Sequence, residues 1–152
     1  MVQQTDPARG RQRVLIPRPR GLEDSSRHWS LFMTLEHLCI VNRAIAQTIN
    51  ELVAGRQPPG TASTATVKPS PMAGESTIAD FERACDELAQ AGAQAATLRT
   101  RLRYAHPWFG PLDAAEWKVM GGSHMRLHRP QLALIQVGLA SGPAGWFPPQ
   151  AQ

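Results

Sequence analysis

The sequence predicts an all-α protein, a helical bundle, on three observations. Residues 29–53 carry Leu31, Leu35, Leu38, Ile45, Ile49 and Leu52 at helical spacing and contain neither glycine nor proline. Apolar side chains repeating near every 3.6 residues form one stripe that a helix can bury. A second stripe runs through Phe81, Cys85, Leu88, Ala95, Leu98 and Leu102, and a third helix opens where Asp113 is followed three residues later by Glu116, the pattern of a capping box. Between these stretches stand clusters of proline and glycine, which punctuate helices, and no run shows the two-residue alternation of a convincing strand.

Taken in order, residues 1–26 read as an irregular N-terminal arm, because prolines and charges dominate and only Val14, Leu15 and Ile16 form an apolar patch that could pin it to the body. The first long helix follows, with Ser25 or Ser26 as its expected cap and Gly55 as its stop. Residues 55–74 form a long crossover loop rich in Pro, Gly, Ser, Thr and Ala. So long a connection without structure is unusual, so local order is expected around Val67-Lys68-Pro69, closing over one end of the bundle. Thr77 with Asp80 suggests the next helix start, and that helix is expected to run to about Leu102. His106 to Pro111 form a tight aromatic turn. The last helix then runs to about Ala140, ended by Gly142-Pro143, with Pro130 inside it to kink or open it. The domains expected are thus an arm at 1–26, a bundle at 27–142 and an irregular tail at 143–152.

Composition bounds the function. The 152 residues suit one domain, large enough to fold without disulfide or structural metal. Cys39 and Cys85 show no C-x-x-C pattern, which suits a reducing compartment, and MVQQTDPARG at the start offers no apolar signal region; a cytoplasmic protein without membrane attachment is the expectation. The net charge of +4 comes from arginines spread between the arm (Arg9, Arg11, Arg13, Arg18, Arg20) and a second group (Arg99, Arg101, Arg103). With no zinc-finger, RNP or glycine-loop spacing, nucleic acid is an unlikely partner.

Chemistry concentrates in three of the five histidines. His124 and His128, spaced i and i+4, lie about 40° apart around a helix, and Trp117, Met120 and Ile135 fall within about 40° of His124. That is the apolar direction, so both imidazoles face the helix's packing partner. His37, neighboured around its own helix by Met33, Ile40, Val41 and Ala44, also faces inward. Antiparallel packing would bring the three together, and three neutral imidazoles with an open position are what a catalytic divalent ion needs. Zn²⁺ or Ni²⁺ fits best and Mn²⁺ or Fe²⁺ is admissible. His106 reads as a packing or capping residue and His28 as a surface one. Cys39, about 200° around from His37, and Glu36, about 100° off, point elsewhere, while Gln131 is placed to support His128 from behind.

Three segments carry a family resemblance: WSLFMTLEHLCIVN (29–42), HPWFGPLDAAEW (106–117) and HMRLHRPQLALI (124–135). The combination of H-P-x-F-G, then E-W, then H-x-x-x-H-x-x-Q resembles the DinB/YfiT-like superfamily over about 14–135, in particular its small DinB-like proteins. The resemblance implies an up-and-down four-helix bundle with a metal site of one histidine on the second helix and two on the last, here His37, His124 and His128. It implies a metal-dependent thiol transferase using a low-molecular-weight thiol, or a hydrolase. The alternative is a non-enzymatic bundle acting through dimerisation or a protein partner. The chain departs from the family in its first helix, which is short or missing, and that predicts an open groove that a second copy could fill.

Overall fold

The computed structural model describes residues 6–141; the expected stop at Gly142-Pro143 and the tail at 143–152 lie outside the described residues. In chain order the elements are α1 (Pro7–Arg11), a 3-10 turn (Asp24–His28), α2 (Leu31–Val53), a second 3-10 turn (Thr64–Val67), α3 (Ser76–Gln90), the strands β1 (Tyr104–His106) and β2 (Gly110–Leu112), and α4 (Ala114–Ser141). The protein is mostly helical, and α2 is its centre, packing against both α3 and α4. All six residues of the α2 stripe are buried, five of them at 1% exposure or less. Two core clusters result. One joins Ile45, Ile49 and Leu52 of α2 to Leu88, Tyr104 and Trp117. The other joins Leu31, Phe32 and Leu35 to Ile16 of the arm and Ile135 and Leu139 of α4.

The cap of α2 is Ser30, whose hydroxyl accepts from the Met33 amide, and not Ser25 or Ser26. The Ser26 hydroxyl donates instead to the Glu23 carbonyl inside the 3-10 turn, which sets the helix start four residues later. At α3 the expected Thr77 cap is also displaced: Glu75 precedes the helix without a side-chain cap, and Thr77 is buried one residue inside.

The larger correction concerns the C-terminal end of α3, which stops at Gln90 rather than near Leu102. Alanine-rich sequence favours continuation, but Gly92 takes φ +72°, the left-handed conformation that ends helices and that glycine adopts without a Cβ penalty. Its amide donates to Asn50 Oδ1, while Lys118 Nζ donates to the carbonyls of Ala89 and Ala91. Side chains from α2 and α4 thus satisfy the helix end. Ala95 and Leu98 fall outside the helix, and Leu102 is exposed.

The segment released in this way caps α4. Ala114 N–H donates to Thr100 Oγ1 and Ala115 N–H to the Leu98 carbonyl; Glu116 N–H donates to Asp113 Oδ1 and Trp117 N–H to the Asp113 carbonyl. The last of these closes the first intrahelical bond, and the three amides before it, which have no intrahelical acceptor, all have partners. The capping box is reciprocal, since Asp113 N–H donates to Glu116 Oε2 at 2.9 Å. Arg99 and Arg103 pair with Asp113 and Glu116, so two of the three arginines of that cluster serve the cap.

The aromatic turn proves to be a β-hairpin, with Tyr104 opposite Leu112 and His106 opposite Gly110. Three-residue strands leave too little alternation to be read from sequence. The helical assignment of α4 is unbroken through Pro130; Pro130 and Arg126, whose carbonyl it cannot serve, are both exposed to water.

The first helix is reduced to the five residues of α1, and the chain's own arm covers the groove it leaves. Ile16 is fully buried there, Gly10 abuts the Phe32 ring and Gly138 the Val14 side chain. The Arg9 guanidinium donates to the Leu139 carbonyl near the C-terminal end of α4, where positive charge is favourable.

Candidate metal centre

The tertiary structure brings His37, His124 and His128 together. One donor nitrogen from each lies within 4.8 Å of the others, with His37 Nε2 and His124 Nε2 at 3.3 Å. Ring centroids are 4.6–5.1 Å apart. A tetrahedral ion with bonds of about 2.0–2.1 Å needs donor atoms roughly 3.3 Å apart, and the His37–His124 edge already has that length. His37 and His128 are buried at 6% and 2% exposure, and His124 is half-buried.

Hydrogen bonds fix two of the three rings from behind. His37 Nδ1 donates to the Val67 carbonyl at 2.7 Å. Gln131 Nε2 donates to the Ser26 carbonyl at 2.8 Å, which turns its Oε1 toward His128 Nδ1 at 2.6 Å. A carboxamide oxygen can only accept, so His128 carries its proton on Nδ1. Both rings then hold an Nε2 lone pair free for a ligand. Since His37 Nε2 has no proton, His124 must supply the one between them, which leaves His124 Nδ1 as a lone pair; that atom is buried and has no partner. His124 Nδ1 goes unpartnered whichever tautomer the ring takes. If an ion occupied the centre, the proton of His124 would sit on Nδ1 and all three Nε2 lone pairs would be available. The residues fit the group.

Electrostatics agrees with this protonation pattern. Burial lowers the His37 pKa, against the opposing pull of the Val67 hydrogen bond and Glu23. Burial and then the imidazoles of His128, His37 and His106 push His124 down to about 3. Burial brings His128 to about 4, in spite of its bond to Gln131. All three are neutral near pH 7, the state a metal requires of histidine.

The cluster opens into a cavity of about 440 Å³. Trp29 packs 5.0 Å from the His37 ring, and Val41, Ile45, Met120 and Leu127 supply apolar wall. The crossover loop closes one side through the Thr64–Val67 turn, which is the local order expected near Val67. Glu36 takes no part in the centre; its carboxylate accepts from the Ser70 amide and ties down the far end of the same loop. Cys39 faces α3, within 4.0 Å of the Thr77 carbonyl, and His28 is exposed.

Two residues of the site were not legible. Glu23, the only acid lining the cavity among the described residues, reaches its rim from the arm, a segment without periodicity. His106 lines the cavity from the hairpin and makes itself felt at His124; the turn-forming proline beside it suggested a packing role instead. The H-P-x-F-G spacing was the one available signal. Among known proteins, no family model, no curated sequence and no solved structure matches this chain.

Proposed function

We propose that the protein binds a divalent transition-metal ion through His37, His124 and His128 and acts as a DinB-like metal-dependent thiol transferase or hydrolase. The donor set carries this reading: three neutral imidazoles on two helices, brought within reach of one centre and two of them held from behind. Imidazole donors suit Zn²⁺ or Ni²⁺ first, then Mn²⁺ or Fe²⁺. Bound there, such an ion would act as a Lewis acid and lower the pKa of a water or thiol at its open position. The chain's own residues orient and enclose. Val67 and Gln131 hold the rings, and Trp29 and Trp117 line a largely apolar space that limits water.

The only carboxylate lining the cavity among the described residues is the exposed Glu23. Hydrolysis calls for a positioned general base, whereas a thiol loses its proton to the field of the ion. Thiol transfer is therefore the better supported reaction. The same shortage of acid–base groups supports the competing reading of a non-enzymatic bundle.

Cobalt titration with visible absorption separates the two. Stoichiometric binding with a tetrahedral spectrum, abolished in His37→Ala and in His124→Ala, is the expected result, followed by turnover with a panel of low-molecular-weight thiols. No cobalt binding by the folded chain would leave the bundle without a metal function.

A further inference from the structure

We propose that His106 is a ligand-recognition residue of this cavity, its Nε2–H donating to an oxygen on the uncharged, aromatic body of a small molecule. The inference deepens the metal reading, since it concerns the part of a ligand that lies beyond the ion.

The proton is placed by geometry. The Trp108 backbone amide donates to His106 Nδ1 at 3.1 Å. A backbone N–H can only donate, so Nδ1 holds the lone pair and, in the neutral ring, Nε2 holds the hydrogen. That N–H has no hydrogen-bond partner among the described residues, and the side chain lines the cavity beside the three histidines. Desolvation lowers the ring's pKa, which keeps it a neutral donor.

The walls define what the donor would meet. His106 sits among aromatic rings, 4.9 Å from Phe109, 5.3 Å from Trp117 and 6.0 Å from Trp108. Trp108 and Phe109 are 58% and 59% exposed at the mouth, an uncovered apolar edge next to a concave apolar wall, which is how a small-molecule pocket is built. Rings of this kind favour an aromatic partner in offset or edge contact. Glu23 and Lys68, the only acidic or basic side chains lining the cavity besides its histidines among the described residues, are both exposed. A charge on the ligand body would meet no buried counter-charge among the described residues, a desolvation cost that favours a neutral one.

The test uses the metal-free full-length chain, with benzamide as the neutral aromatic carbonyl and benzoate as its charged counterpart. Binding is followed by tryptophan fluorescence and by the imidazole nitrogen resonances of His106. Saturable binding of benzamide is expected, with a shift at His106 Nε2 and benzoate at least about tenfold weaker. Loss of one hydrogen bond should weaken benzamide about fivefold in His106→Phe, and His106→Gln, which keeps a donor, should recover part of it. Equal affinity for benzoate, unchanged affinity in His106→Phe, or no saturable binding would overturn the proposal. Because no metal is present, these outcomes are independent of cobalt titration: either reading can fail while the other stands.

Discussion

Gln131 shows how one buried side chain sets the chemistry of another. It is fully buried, donates to the Ser26 carbonyl and accepts from His128, so the arm, through Ser26, dictates the tautomer of a candidate ligand on α4. Gln131→Met keeps the volume and loses both bonds. We expect about 1–3 kcal/mol of destabilisation in urea denaturation, from two buried polar groups left unpaired, and a 10–100-fold weaker cobalt affinity. Unchanged cobalt affinity would show that His128 does not need this support. Asp113 is a second case. Burial acts to raise its carboxyl pKa, but the Glu116 amide and the Arg99 and Arg103 guanidiniums outweigh it and the net shift is downward. A depressed folded-state pKa adds stability that is present above the unfolded value near about 4 and is lost as the pH falls through the folded one. Asp113→Asn keeps a capping oxygen but loses the charge paired with Arg99 and Arg103, and should cost up to about 1 kcal/mol at pH 7. The gap from wild type should shrink below about pH 4, as read by urea midpoints across a pH series.

At the scale of elements, the short arm does the work of a missing helix, and Gly10 shows how tightly. A Cβ there would collide with the Phe32 ring, which is fully buried and cannot swing away. Gly10→Ala would gain at most about 1 kcal/mol of helix propensity in α1 against about 1–3 kcal/mol of overpacking. Net destabilisation is expected, together with faster tryptic cleavage after Arg13 and Arg20 as the arm lifts. Cleavage at the wild-type rate would mean that the arm docks without this contact. The arrangement at α3 and α4 has the same logic. Gly92 ends one helix, and the irregular segment that follows supplies Thr100 and Leu98 to begin the next. A local signal at one glycine therefore becomes the cap of a helix two elements away.

For the whole molecule, an ion held at the three histidines would couple folding to metal binding. The three histidines come from α2 and α4, and the groups that orient them come from the crossover loop and, through Gln131, from the arm. An ion that binds only this assembled site stabilises the fold by mass action, about 2.7 kcal/mol at a hundredfold excess over its dissociation constant. Zn²⁺ should thus raise the melting temperature of the wild type by several degrees and leave His37→Ala/His124→Ala/His128→Ala unmoved. An equal shift in the triple variant would place the ion elsewhere.

The sequence by itself determined the class of the fold, the α2 stripe, the capping box of α4 and the inward direction of three histidines. Each of these follows from periodicity or from spacing within one element, and such information is local. Where α3 ends took both: Gly92 offers a local stop, but only tertiary structure let it win over the alanine-rich continuation, because Asn50 and Lys118, far away in sequence, satisfy that end. Tertiary structure also decided what fills the place of the first helix, because an aperiodic arm has no pattern until it has a groove to lie in. The site divides the same way. The three imidazoles were legible as residues that face inward, whereas their tautomers, the role of Gln131 through Ser26, and the entry of His106 and Glu23 into one cavity depend on contacts between segments that no spacing along the chain records.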